Sequence, residues 1–320
     1  MRILITGANG FLGSHLVEHA VKSNHSVFSG IRKGANLQYI DGLNTTLTEL
    51  NYQESKNLTN QLKILRKESP FDLIIHNAGL TKSDSKKKNL DINKGITENL
   101  LKAVSESGAL HSNGKFVYIS SMAALGPVGA NGPVSTYGWS KLQAEKSIIE
   151  SGLPYSIFRP SAIYGPRDKA FLPMFKSAKW GLYPNISSPN QKITMILASD
   201  VARVILYLSK SHTNNIFHLD DGHVYSHKNL VDALGAVFNK KIVKIQVPKM
   251  LVLSGIFLIE KVVKLFGGKA ILTIEKYKEI SQDWNHDFSS ERKQMDQLSL
   301  TPLDAGFLKT YQYYHQQKLL

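Results

Sequence analysis

Short apolar runs alternate with longer amphipathic ones through the first half of the chain. Arg2–Thr6, Ser26–Ile31, Leu73–His76, Lys115–Ser120 and Tyr155–Phe158 are brief, several of them nearly continuous in apolar residues. Runs of this kind are expected of strands covered on both faces of a parallel sheet. Between them, Phe11–Ser23, Glu54–Lys67, Asp91–Ser107 and Trp139–Ser151 place apolar residues at helical spacing. Strand and helix in regular alternation imply right-handed crossovers, and so an α/β fold with a doubly wound parallel sheet.

Near residue 165 the rhythm changes. Helical patterns dominate at Ala170–Trp180, Ser199–Ser209, His227–Phe238 and Lys249–Phe266, with strand-like pieces at Ile193–Ile196, Ile216–Leu219 and Ile242–Ile245. The pattern predicts a larger domain over residues 1–165 and a smaller, mostly helical lobe over 166–320. Segments from about 193 to 220 are expected to return to the main sheet. No repeat or low-complexity linker separates the two, so close packing between them is expected.

Composition narrows the chemistry. The chain has no cysteine, which removes disulfides, thiolate metal sites and cysteine nucleophiles, and fits a reducing, cytoplasmic setting. The opening run Ile3-Leu4-Ile5 is broken by Gly7 before a secretory segment forms. The longest uncharged apolar stretch, Met250–Ile259, is about half of what a spanning helix needs, so no spanning segment is expected, although contact with a bilayer surface through Leu253, Phe257 and the lysines at 249, 261 and 264 is an alternative to an ordinary core helix.

A net charge of +14 favours anionic partners. The lysines are scattered, however, and the run Lys86-Lys87-Lys88 sits in a polar stretch without interleaved aromatics. We read a solvated basic surface and expect no nucleic-acid partner. The eleven histidines show no metal-ligand spacing. His76 is read as a packed strand-end residue, His15 and His19 as solvent-facing on the first helix, and no metal is expected.

Gly7, Gly10 and Gly13 fall between a predicted strand and a predicted helix, in Thr6-Gly7-Ala8-Asn9-Gly10-Phe11-Leu12-Gly13. In that context Gly7 permits a sharp turn, Gly10 a close backbone approach to a pyrophosphate, and Gly13 tight packing of helix on strand. The pyrophosphate would meet the amide end of the helix. The larger domain is therefore read as a Rossmann-type dinucleotide-binding domain and the smaller lobe as the one that holds substrate. NAD binders usually place a carboxylate at the end of the second strand. Here Arg32-Lys33 stand there and the next acid is Asp41. A guanidinium pairs with a 2′-phosphate in two parallel bonds, so NADP(H) is the preferred cofactor and NAD(H) the alternative.

Tyr137 and Lys141 stand four residues apart at a helix start, on one face. An ammonium at about 4 Å, with an effective dielectric near 20, would stabilise a phenolate by roughly 4 kcal/mol before desolvation. That makes Tyr137 a candidate acid/base. Upstream, a predicted strand ends in Ser120-Ser121, where open sheets bind their ligands.

The glycine motif, strand-end serines, Tyr137-to-Lys141 and Phe158-Arg159-Pro160 come in the order of a known family. With His76-Asn77-Ala78-Gly79, Asn93 and Tyr164-Gly165-Pro166-Arg167, the sequence resembles the extended short-chain dehydrogenase/reductase superfamily. That is the NAD-dependent epimerase/dehydratase family, and the resemblance spans nearly the whole chain. It implies Tyr137 as acid/base, Lys141 holding the nicotinamide ribose, and Ser121, rather than Ser120, polarising the substrate. It also implies cofactor contacts from Asn9, Phe11, Leu12, Asn77, Ala78, Gly79 and Asn93, and from Pro160 and Ile163 at the nicotinamide. Glu49-Leu50 is the nearest match to the acidic–apolar pair expected against the adenine. A homodimer built on the helices after Asp91 and Trp139 is usual for the branch.

The reaction is less legible. Sugar-nucleotide members usually carry an Arg-Asp-aromatic segment before an Asp-Asp-Val-like helix start. Here Lys192-to-Leu197 lacks it, while Asp200-Val201-Ala202 survives as an expected N-cap. Dehydratases carry two acids after the strand-end hydroxyl, and this chain has Met122-Ala123. Val247-Pro248-Lys249 and Trp284-to-Ser289 resemble the lid region of the dihydroflavonol-reductase and hydroxysteroid-dehydrogenase side. The short Gly/Pro-rich stretch from Met122 to Thr136 is expected to leave the substrate mouth open. The reading is NADP(H)-dependent reduction of a ketone or aldehyde on a small or moderately apolar substrate. The alternatives are a nucleotide-sugar epimerase with bound NAD(H) and a non-catalytic NADP(H)-sensing protein.

Overall fold

The computed structural model describes residues 1–80, 89–210, 213–265 and 272–320. The run Lys86-Lys87-Lys88, the Phe266 end of the last apolar helix and the side chain of Lys264 lie outside what is described. The first strands and helices are β1 (Arg2–Thr6), α1 (Phe11–Lys22), β2 (Ser26–Ile31), β3 (Thr46–Glu49), α2 (Ser55–Leu65) and β4 (Phe71–His76). A π-helical turn, Asp91–Gly95, leads into α3 (Ile96–Ser107), followed by β5 (Leu110–Ile119), α4 (Thr136–Glu150) and β6 (Tyr155–Pro160). The smaller strands are β7 (Ala162–Tyr164), β8 (Leu182–Asn185), β9 (Lys192–Ile193), β10 (Met195–Leu197), β11 (Asn215–Leu219), β12 (Tyr225–Ser226) and β13 (Val243–Gln246).

Seven strands form one parallel sheet in the order β11-β6-β5-β4-β1-β2-β3. The order reverses between β1 and β4, which opens a crevice beyond their carboxyl ends. Strand alternation sends side chains to two layers. Ile3, Ile5, Leu73, Ile75, Val117 and Ile119 pack on α1 and on the helix Ala198–Leu208. Leu4, Ile74, Phe116 and Tyr118 pack on α2 and α3. Each such aliphatic side chain taken from water contributes on the order of 1.5–3 kcal/mol, which holds the crevice walls rigid. A third core, with Phe175, Leu234, Phe307 and Tyr314 at its centre, gathers residues from Ala162 to the last helix.

The sequence pattern misses β3. Thr46-Leu47-Thr48-Glu49 is a mostly exposed edge strand, so it lacks the apolar run that marks its neighbours. Asp200 is not an N-cap. It is the third residue of its helix, where it accepts the Thr301 amide at 2.7 Å and pairs with Arg203. His15 is buried rather than solvent-facing. Its Nε2 lies 2.9 Å from the Pro166 carbonyl, and burial holds its pKa down to about 4. No helix among the described residues is long and apolar enough to cross a membrane.

Candidate active site

The turn after β1 admits only small residues. Gly7 has φ +64°, in the left-handed region, and a Cβ there would meet the Ala78 backbone at 2.8 Å. A Cβ on Gly13 would lie 2.0 Å from the Gly7 carbonyl oxygen. Helix α1 therefore begins directly behind β1. No side chain caps its N-terminus and its first turn holds no acid, so its positive end suits a phosphate. Asn9 ties this turn to the next loop through Asn36. Arg32 and Lys33 stand exposed at the end of β2. Glu49 is exposed beside them, while Leu50 is buried with its amide on the Ile31 carbonyl.

The loop after β4 is held from below. Thr6 Oγ1 lies 2.8 Å from His76 Nδ1, and His76 Nε2 lies 3.0 Å from Thr97 Oγ1. Thr97 donates to the Asn93 carbonyl, so His76 Nε2 carries the ring proton and Nδ1 accepts from Thr6. Burial and the Lys141 charge hold the His76 pKa down to about 3. Asn77 reaches the Gly7 carbonyl, and Asn93 bonds both the amide and the carbonyl of Leu80 as well as Ser140. Ala78 and Gly79 thus lie between the glycine turn and α4. Pro160 closes β6, and Ile163 lies in β7.

Two serines end β5 and take different tasks. Ser120 is buried and donates to Glu145, which also binds Arg159 through a two-pronged pair at 3.0 and 2.5 Å. Ser121 caps the short turn Met122–Ala124 and lies in hydrogen-bond range of the Tyr137 phenol. Gly138 makes that meeting possible. A Cβ on it would lie 2.1 Å from the Ala123 carbonyl oxygen, so α4 starts against the Ser121 turn only without one.

Lys141 is buried at the start of α4. Its Nζ donates to the Ile119 carbonyl at 2.7 Å and lies 4.6 Å from the centre of the Tyr118 ring. Burial lowers its pKa to about 8 against the raising influence of Glu145. Burial also pushes the Tyr137 phenol above its ordinary range, Glu279 pushes the same way, and only the Ser121 hydrogen bond opposes them. The phenol is therefore protonated at neutral pH.

On the substrate side, residues 275–286 are tied to the start of α4 and to the Gly/Pro-rich stretch before it. Glu275 accepts the Thr136 amide at the start of α4, and Glu279 is buried beside Tyr137 in an ion pair with Lys276. Val128 donates to the Asp283 carbonyl, and His286 Nε2 lies 2.8 Å from the Gly126 carbonyl. The Gly/Pro-rich stretch is thereby strapped to residues 275–286. The Lys192 amide donates to Asp283 Oδ1 and the Thr194 hydroxyl to the Trp284 carbonyl. Glu275 and Glu279 went unnoticed in the sequence because nothing local links them to Tyr137.

A family model described as NAD dependent epimerase/dehydratase matches residues 3–219. The chain is 25% identical to the UDP-glucose 4-epimerase of Vibrio cholerae, over 98% of this chain and 95% of that protein. It is also 25% identical to the ceramide reductase of Caulobacter vibrioides, over 68% of this chain and 64% of the relative. The fold is similar to that of the Thermotoga maritima UDP-glucose 4-epimerase, solved with UDP-glucose, with a TM-score of 0.75 at 17% identity over 99% of this chain and all of that one. The Bacillus cereus UDP-glucuronic acid 4-epimerase, in complex with UDP-glucuronic acid and NAD, gives 0.73 at 20% identity, over 99% of this chain and all of that one. At those identities the structures speak for the fold alone. The family model, covering two thirds of the chain and the glycine turn, Ser121 and the Tyr137–Lys141 helix within it, speaks for more: the chain belongs to the NAD-dependent epimerase/dehydratase family, in the extended branch of the short-chain dehydrogenase/reductase enzymes.

Proposed function

We propose that the protein reduces a ketone or aldehyde on an uncharged, moderately apolar substrate, with NADP(H) preferred over NAD(H). The observation that carries this reading is the pair of carboxylates, Glu275 and Glu279, lying over the Tyr137 end of α4. They disfavour a diphosphate-bearing substrate at that place by like-charge repulsion. Glu279 also favours the protonated phenol that a reductase needs, because reduction draws a proton from the acid.

The residues fit a dinucleotide. The uncapped start of α1, with Asn9, Gly10, Phe11, Leu12 and Gly13, would take the pyrophosphate. Arg32 and Lys33 would take a 2′-phosphate, and Glu49-Leu50 the adenine. Asn77, Ala78, Gly79 and Asn93 would line the middle, with Lys141, Pro160 and Ile163 near the nicotinamide. When bound, the dinucleotide supplies a hydride to the carbonyl carbon. Ser121 donates to the carbonyl oxygen as negative charge develops there, and Tyr137 delivers its proton to that oxygen. Lys141 keeps a cation behind the site, anchored on the Ile119 carbonyl.

A second reading, a nucleotide-sugar epimerase, is favoured by the near full-length match to the Vibrio cholerae epimerase. Titrating the purified protein with NADPH and NADH, alongside Arg32→Ala, separates the two. The reductase reading expects tighter NADPH binding that falls by at least about tenfold in the variant, the loss of one charge-assisted bidentate pair. Equal binding of both, or NADH that co-purifies, would transfer the weight to the epimerase.

A further inference from the structure

The helix Lys249–Leu265 is held by one narrow face. Val252 and Ile256, one turn apart, are buried with Tyr277, and Ile186, Val247, Leu253 and Ile274 close around them. Leu253 thus faces inward. The opposite side is uncovered: Met250 is 81% exposed, Leu251 64%, Leu258 60% and Val262 53%. Positions 251, 258 and 262 follow the helical repeat and make one stripe. Lys261 Nζ lies 4.4 Å from the centre of the exposed Phe257 ring, so its stem runs along apolar surface toward a charged rim. The ribbon that leads into this helix is similar. Leu182 pairs with Val243 and Pro184 with Ile245. Leu182, Val243 and Ile245 are exposed, and Trp180, just before the ribbon, is 80% exposed. Apolar surface this continuous is uncommon on a protein without a partner for it.

Charge indicates which partner. Residues 239–265 contain six lysines and a single acid, Glu260. That carboxylate is turned to the Ile274 amide and half-buried. Lys176 and Lys179 precede Trp180, and the chain as a whole carries +14. An apolar helical stripe, a tryptophan and a lysine rim fit an anionic lipid surface. A second copy of this chain would instead bring like charges together.

We propose that the outer face of the Lys249–Leu265 helix, with the Trp180 ribbon leading into it, docks the protein on an anionic bilayer without crossing it. The helix lies in the plane of the headgroups. Its inner face packs against Tyr277, on the same short helix as Glu275 and Glu279, so the bilayer sits behind the segment beside Tyr137. Docking does not depend on which substrate the enzyme takes, and its test reads binding alone.

The test is co-sedimentation of the full chain with vesicles of phosphatidylcholine, with and without phosphatidylglycerol. The expected result is sedimentation with the anionic vesicles, weakened by salt, and a blue shift of tryptophan emission that Trp180→Phe diminishes. Leu251→Glu/Leu258→Glu, placed on exposed positions, should lower the vesicle-bound fraction at least about tenfold while the melting temperature and dinucleotide titration stay unchanged. Wild-type protein left in the supernatant would overturn the proposal. So would a double variant that folds and sediments as well as the wild type, or a dimer by light scattering that the variant dissociates without any vesicle binding.

Discussion

At the residue scale, the Tyr137 phenol is set by what touches it. Ser121 stabilises the phenolate, while burial and Glu279 oppose it and prevail. A proton donor held in its acid form supports activity until the pH rises through its pKa. Removing the Glu279 charge lowers that pKa, so Glu279→Gln is expected to move the alkaline limb of kcat/KM to lower pH, with cofactor binding unchanged. An unmoved limb would mean that Glu279 does not act on the phenol. The Y-x-x-x-K spacing and the strand-end serines were visible in the chain because they are local. Glu279, 142 positions after Tyr137 by subtraction, was not.

Among the elements, α4 does most to assemble the site. Its cap, Ser135, accepts the Gly138 amide at 3.1 Å, and Gly138 rests on the turn after Ser121. Gly138→Ala should force the two apart. Misplacement of reacting groups by about an ångström costs on the order of 10²-fold in turnover, and that loss is expected in kcat while dinucleotide affinity changes little. Full turnover in the variant would show that the helix start adjusts without consequence. Periodicity located α4 but began it at Trp139, three residues late. The true start depends on a serine cap and a glycine contact that carry no apolar signal.

For the whole molecule, buried histidines join parts far apart in the chain. His15 links α1 to Pro166, in the turn after β7, and His76 bridges β1 and α3 through Thr6 and Thr97. Both have pKa values lowered from 6.5, to about 4 and about 3. The unfolded chain therefore binds more protons below pH 6.5. Stability should be level above that value and fall as pH drops toward 4, by about 1.4 kcal/mol per pH unit for each histidine. Urea unfolding over that range measures the slope, and His15→Gln should reduce it by about 1.4 kcal/mol per pH unit, the share of one histidine. A slope that His15→Gln leaves unchanged would assign the acid sensitivity to other groups.

The chain by itself determined what short-range pattern determines. Apolar runs of strand length, helical spacing between them and three glycines at one turn were enough for the doubly wound sheet and the helix set directly behind β1, because both faces of a parallel strand must be apolar and a tight turn must lack Cβ atoms. The tertiary structure decided what depends on distant segments meeting. It split Ser120 from Ser121 by giving Glu145 and Arg159 to the first, placed Lys141 on the Ile119 carbonyl, and tied residues 275–286 to the Gly/Pro-rich stretch before α4. It also left one helix face bare. Each of these turns on which side chains share a small volume, and sequence spacing does not encode that when the partners lie tens to more than a hundred residues apart.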